Sequence, residues 1–358
     1  MSEAPWAAAL RVSLASRLGE SPDALLAIKL ASSSLAPSTY KAYGRHWASF
    51  AEYCEGARRP ALPATPDTVV LFLAHLSRTG RWLPTSVQPI LSAINKVHIQ
   101  LLGVGDGPAC GSLVTSVLHG WERLHAASPG AKADVRRPLP AWVASSALDT
   151  ALAMSLPVRR QQAQLFCSLV FVALCFALMN RAGTDISLLR GDVSPVGASV
   201  HVRLRVEKMR AASTSLRILE IKGNPDLSAL CSRWLALQSD LWSASGKTMP
   251  PDVHFFRLPA DPAWVAGVAP AVCTAWLQSA CAALGAAPPP GSKWTSHSLR
   301  KGAASAAAAI RVELATIRDW GGWAATSAVV LDYIDRSVQA CAAARRFFRF
   351  LRTDVDDG

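Results

Sequence analysis

The 358-residue sequence has no apolar run long enough to cross a bilayer. The longest, Leu165 to Met179, is interrupted only by Ser168 and stops at Asn180-Arg181, short of the roughly 20 residues a spanning helix needs. It reads as a buried core helix. The eight cysteines contain no C-x-x-C pair and no matched Cys/His set, which argues against a zinc site. Several of them (Cys167, Cys175, Cys273, Cys281) lie inside apolar stretches, as reduced thiols of an intracellular protein would. No secretory signal is expected. Ala7–Leu18 is Ala/Ser-rich with Arg11 and Arg17, in the manner of a transit peptide, but Glu3, Glu20 and Asp23 argue against that reading. Tandem repeats are absent. Tyrosine is scarce: there are four, and Tyr333 is the only one after Tyr53.

What is abundant is alanine and positive charge. Hydrophobic content is 51% and mean hydropathy +0.22, largely through alanine. The net charge is +12 and the pI about 9.7. Residues 1–130 carry 11 Lys/Arg against 8 Asp/Glu, and residues 131–358 carry 26 against 17, so most of the surplus lies in the second part. A basic surplus suits a polyanionic partner, nucleic acid first; a basic protein with no such partner is the alternative that charge alone leaves open. The length accommodates two domains of ordinary size.

Residues 1–35 read as a peripheral segment with one helix around Ala7–Leu18. From 36 to 128 the periodicity predicts a helical domain. Tyr40, Tyr43, Trp47, Phe50 and Cys54 mark one stripe, with Lys41 and Arg45 on the other side. Thr65-Pro66-Asp67 opens a second helix. Val87, Leu91, Ile94, Val97 and Leu101 stripe a third, with Lys96 off the stripe, and a fourth covers Leu113–Leu124. Ser128 to Pro140, with three prolines, a glycine and the pair Arg136-Arg137, is the linker, placed at 129–140. A second domain, 141–358, opens with helices near Val143–Ser155 and Arg159–Met179. Val200–Lys208 then alternates apolar and polar residues, and Ser215–Ile221 returns as the second strand of a hairpin. Helices follow at Leu227–Trp242 and Ala271–Leu284, and a last one, Val338–Leu351, mixes Phe347, Phe348 and Phe350 with Arg345, Arg346 and Arg349.

One stretch carries chemistry. Between Thr295 and Ser337 stand His297-Ser-Leu-Arg300 at a helix opening, Gly321-Gly322-Trp323, and Tyr333 ten residues beyond the tryptophan. Upstream, Arg181 is followed by the apolar Leu188 and by Asp192. A lone His-x-x-Arg means little, since His254-Phe-Phe-Arg257 has the same form without downstream partners. The ordered set resembles the signature of the tyrosine recombinases, the phage integrase family, over about residues 40–350. The Ala-rich style and the Gly-Gly-Trp turn point to a eukaryotic mobile element within it.

That resemblance implies an α+β fold, mostly α with a small β-sheet: a helical core-binding domain that binds DNA, then a catalytic domain, the two closing on duplex DNA as a clamp. It implies a site-specific recombinase or integrase that cleaves and rejoins DNA through a covalent 3′-phosphotyrosine, with no cofactor and no metal. Arg181 and Arg300 would grip the phosphate as bidentate donors, the kind of preorganised electrostatics that usually gives the largest catalytic effect. Tyr333 would be the nucleophile, its phenol (pKa about 10 in model peptides) activated by His297. Lys208, which ends the first hairpin strand on its apolar parity, would protonate the departing 5′ oxygen, with Lys222 as the alternative. Trp323 would pack the site where many relatives have histidine. One departure stands out: the acid expected three residues after the arginine is Thr184, and Asp185 follows it. Lys41, Arg45, Lys96, Arg136 and Arg137 are the DNA-binding candidates; for each, a solvated surface charge is the alternative. The resemblance further implies double-stranded DNA as partner, a synaptic tetramer assembled through the C-terminal helix, no membrane, and a nuclear location in a eukaryote or a cytoplasmic one at the nucleoid in a bacterium. A type IB topoisomerase-like strand transferase and an inactive, domesticated DNA-binding protein of the same fold remain the competing readings.

Overall fold

The computed structural model describes residues 5–19, 21–35, 37–103, 105–128, 135–155, 160–181, 187–204, 217–246, 249–250, 252–257, 270–335 and 342–351. The chain divides into two compact units, Met1–Ala131 and Lys132–Gly358. No helix among the described residues is long and apolar enough to cross a membrane.

The first unit is helical: α1 (Pro5–Leu18), α2 (Pro22–Ser32), α3 (Pro37–Gly56), α4 (Pro66–Thr79), α5 (Gln88–Leu102) and α6 (Ser112–Ala127). Local chemistry sets their ends. Thr65 caps α4 by accepting from the Thr68 N–H, Pro66 occupies the first turn, and Gly80 closes the helix at φ 64°. Phe50, Cys54, Val69, Phe72, Leu73, Ile90, Leu91, Ile94 and Trp121 form the core, with the Phe50 and Phe72 rings edge to face at 5.2 Å. The N-terminal segment, expected to be peripheral, belongs to this unit. Ser13 Oγ donates to the Leu101 carbonyl at 3.2 Å, and Leu14 joins Leu35, Tyr40, Tyr43 and Trp47 around Val97. Asn95, off the apolar stripe of α5, fixes the loop that follows: its Oδ1 accepts from the Ala109 N–H at 2.7 Å. A Cβ on Gly107 would lie 2.6 Å from the Asn95 Cα, so only glycine permits that approach.

The second unit is built on α8 (Arg160–Leu178), whose apolar run from Phe166 to Met179 is buried throughout. Around it pack α7 (Ala141–Ala153), α9 (Pro225–Ala244), α10 (Pro270–Ala283) and α11 (Ser296–Ala309). The expected hairpin is part of a three-stranded antiparallel sheet in which β2 (Val193–Val196) precedes β3 (Ser199–Leu204) and β4 (Arg217–Ile221). Val200, Val202 and Leu204 are buried while Arg203 faces solvent. A short turn at Arg190–Asp192 leads into β2, with the Asp192 carboxylate accepting from the Leu189 N–H at 2.9 Å. β1 (Val135–Arg136) pairs in parallel with β5 (Ser292–Lys293). Beyond α11 come α12 (Leu314–Gly321), the short α13 (Val330–Tyr333) and α14 (Ala342–Phe348). On α14, Phe347 and Phe348 bury against Phe176 at ring separations of 5.6 and 5.8 Å.

The second His-x-x-Arg is structural. Phe255 and Phe256 lie at 0% and 1% exposure, and the Phe255 N–H donates to the Leu188 carbonyl at 2.8 Å.

Candidate functional site

The cluster begins with the end of α12. Gly322 takes the left-handed conformation at φ 68°, its N–H donates to the Asp319 carbonyl at 3.0 Å, and the Trp323 N–H reaches back to the Arg318 carbonyl at 2.9 Å. That reversal folds the Trp323 indole over Gly321, where an added Cβ would stand 1.8 Å from the ring. The two glycines are therefore needed for different reasons, one for its dihedral and one for its missing side chain.

On the indole lies Arg300. It sits in the second turn of α11 and is 1% exposed. Its Cζ is 3.5 Å from the centroid of the Trp323 ring and 5.3 Å from that of Tyr333. The two rings meet edge to face at 5.3 Å. A buried guanidinium must be satisfied, and Nη1 donates to the carbonyls of Met179 at 2.9 Å and Gly321 at 2.8 Å. A cation over an indole face adds about 2 kcal/mol when desolvated. Met179 offers its carbonyl because it turns left-handed after α8, at φ 54°. That conformation costs a bulky residue of order 1–3 kcal/mol and persists because the surroundings hold it: the side chain is fully buried and the N–H donates to the Cys175 carbonyl at 3.1 Å.

Tyr333 is half-buried, held by α11 from behind. Ser305 Oγ donates to the Tyr333 carbonyl at 3.1 Å and accepts from the Asp335 N–H at 2.8 Å. Val330 anchors α13 with a fully buried side chain, whereas Val329 is 51% exposed. Asp332 faces solvent and Asp335 is half-buried.

Of the six residues expected to act together, Arg300, Trp323 and Tyr333 are in mutual contact. Arg181 is half-buried and follows by two residues the Met179 carbonyl that binds Arg300. His297 is exposed on the first turn of α11, three residues and so about 60° around the helix from Arg300. Lys208, Thr184 and Asp185 lie outside the described residues. The alternative lysine, Lys222, is on the surface, its Nζ 3.3 Å from the Glu220 carboxylate. Lys41 and Arg45 are exposed on α3, Lys96 is half-buried on α5, Arg136 is in β1, and Arg137 is exposed just after it. Among the described residues no group of three or more His, Cys, Asp or Glu could hold a metal ion.

Several residues that build the cluster carry no motif. Met179 and Ser305 act through position, and Trp320 ties α12 to α8 by donating Nε1 to the Ala177 carbonyl at 2.9 Å. Arg217, on β4, donates Nη2 to the carbonyls of Asp319 and, at 2.7 Å, Trp320. Only the Gly-Gly pair signalled the turn in advance.

No protein-family model and no curated protein matches the sequence. Solved structures do resemble the fold. XerH site-specific recombinase bound to palindromic difH substrate, in a post-cleavage complex, superposes with a TM-score of 0.55 at 12% identity, over 97% of this chain and 92% of that one. A lambda integrase (75–356) dimer bound to a COC' core site gives 0.51 at 16% identity, over 87% and 94%. The Tn1549 transposon integrase (82–397) in complex with circular intermediate DNA gives 0.52 at 10%, over 93% and 96%. The chain has the tyrosine-recombinase fold, α+β with a small antiparallel sheet.

Proposed function

We propose that the protein is a DNA recombinase of the tyrosine family, cleaving and rejoining duplex DNA through Tyr333. The observation that carries this reading is the stack of Arg300, Trp323 and Tyr333: a phenol held within 5.3 Å of a guanidinium carbon, in a fold shared with recombinases solved on DNA. The Tyr333 oxygen bonds to phosphorus and the bond from phosphorus to the 5′ oxygen breaks. The phenol proton passes to His297, and Lys208 supplies a proton to the departing 5′ oxygen. Arg300 and Arg181 stabilise the charge gathering on the non-bridging oxygens, where a guanidinium fork outperforms an ammonium. The phosphotyrosine conserves the bond energy, so the 5′ hydroxyl of another strand can reseal it. No step in this scheme asks for a cofactor. Double-stranded DNA is the partner, with self-assembly into a synaptic tetramer on it through the C-terminal helix.

The burial of Arg300, at 1% exposure, favours a second reading, a DNA-binding protein of this fold that does not cleave. One experiment separates the two. Full-length protein is incubated with a randomised pool of nicked duplexes carrying 5′-bridging phosphorothiolates, and detergent-resistant adducts are sought. The recombinase reading expects an adduct from wild type and none from Tyr333→Phe; retention of DNA by both proteins with no adduct from either establishes the second.

A further inference from the structure

We propose that Arg217 is a positioning residue for the Arg300 site, acting through the carbonyl end of α12; the inference rests on the recombinase reading. The last four carbonyls of a helix have no partner within it, and for α12 these are residues 318–321. Backbone N–H groups of Gly322 and Trp323 take those of Arg318 and Asp319. The remaining demand is met by two side chains from elsewhere in the fold. Arg217 donates Nη2 to Asp319 and Trp320, and Arg300 donates Nη1 to Gly321. The helix end is also the negative pole of its dipole, which suits two cations.

The consequence is a fixed order of contacts from sheet to site. Arg217 opens β4, registered against the buried Leu204 of β3, so its backbone is held by the sheet. Its guanidinium grips the two carbonyls immediately before Gly321, and Gly321 both accepts from Arg300 and lies under the Trp323 ring. Arg217 acts on the turn that holds Arg300 and the Trp323 ring. Being half-buried, it can be removed with water replacing it at the carbonyls, so the fold should survive its loss while the turn loses a restraint. Lysine, with no planar fork, cannot reproduce the same pair of contacts.

The test compares adduct formation by full-length wild type, Arg217→Ala, Arg217→Lys and Arg300→Ala, with thermal unfolding as the check on folding. The probe is a duplex recovered from the randomised pool, made with either a phosphodiester or a methylphosphonate at the scissile position. Replacing a charged non-bridging oxygen with methyl lessens the need for a guanidinium there. A misplacement of about 1 Å costs roughly a hundredfold, so Arg217→Ala should fall by about ten- to a hundredfold on the phosphodiester and by markedly less on the methylphosphonate, in the direction of Arg300→Ala. Arg217→Lys should lie between, and it carries the comparison if the alanine variant does not fold. An equal loss on both substrates, or wild-type rates on the phosphodiester, overturns the proposal while leaving the recombinase reading intact. If wild type itself yields no adduct on either substrate, the recombinase reading falls and this inference with it.

Discussion

Arg300 is buried, charged and stacked, and each property depends on a residue that has no functional group to offer. Gly321 is the sharpest case. Alanine there would put a methyl 1.8 Å from the Trp323 ring, so either the indole or the turn has to move. Overpacking of this kind costs about 1–3 kcal/mol. Gly321→Ala should lower stability by that order in a denaturant titration and shift the Trp323 fluorescence with it. An unchanged midpoint would mean the indole is not seated on Gly321. His98 makes a different demand. Its Nε2 accepts from the Ala64 N–H at 2.9 Å while Nδ1 meets the Ile94 carbonyl at 2.8 Å, which fixes the neutral tautomer. Burial, partly offset by that carbonyl bond, holds its pKa below the usual imidazole range. The unfolded chain therefore takes up the proton first. The stability linked to His98 is fully present above about pH 6.5 and is lost as pH falls from there through the depressed native value. Melting of His98→Gln, measured between pH 7.5 and 5, should be flatter with pH than that of wild type; parallel curves would clear His98 of the effect.

At the level of elements, what was legible followed from how strongly a segment's pattern was tied to its burial. The stripe of α3, the continuous apolar run of α8 and the alternation of β3 are each produced directly by contact with a core, and each was read from sequence. α2 was not, although Ser21-Pro22-Asp23 has the same opening chemistry as Thr65-Pro66-Asp67: Ser21 caps it by accepting from the Ala24 N–H at 3.2 Å. Its Leu25, Leu26 and Leu30 are 54–64% exposed and only Ala24 and Ile28 of its apolar residues are buried, a face too narrow to complete the signal. β2 was missed because Ser194 and Pro195 are poor strand formers, and only pairing with β3 makes a strand of them. In the candidate site, Arg300, Trp323 and Tyr333, which meet through their side chains, stand in a motif. Met179, Ser305 and Trp320 do not, because they contribute through backbone geometry or a single tether, and neither leaves a spacing to read. α14 shows the same division in energetic form. Arg346 joins Asp149 at 2.7 Å and Asp226 at 2.6 Å, but its side chain is 35% exposed and its partners more so, which limits such pairs to about 1 kcal/mol or less. Burying Phe347 is worth more, about 3–5 kcal/mol on truncation to alanine. Hydrogen exchange over 342–351 should therefore rise slightly in Arg346→Ala and strongly in Phe347→Ala. The reverse order would make the ion pairs the true anchor.

Across the whole molecule the distribution of charge makes its own demand on function. The net +12 is carried mostly after residue 130, yet two of the three candidate contacts in the first unit, Lys41 and Arg45, are exposed. Four residues apart on one helix, they share a face and can meet the same stretch of backbone. If the protein grips duplex DNA mainly through phosphates, its affinity should fall with salt, log K dropping about 0.9 for each unit of log salt per phosphate neutralised. The slope counts contacts independently of sequence preference. Neither side chain is buried, so replacing both with alanine should leave thermal unfolding within about 0.5 kcal/mol of wild type. If both touch phosphate, the double variant should bind a random 40-base-pair duplex more weakly and with a slope shallower by about 1.8. Weaker binding with an unchanged slope would assign the two residues to general field strength rather than contact. No change in either quantity would remove α3 from the DNA-binding face and leave the surplus of the second unit to account for the affinity.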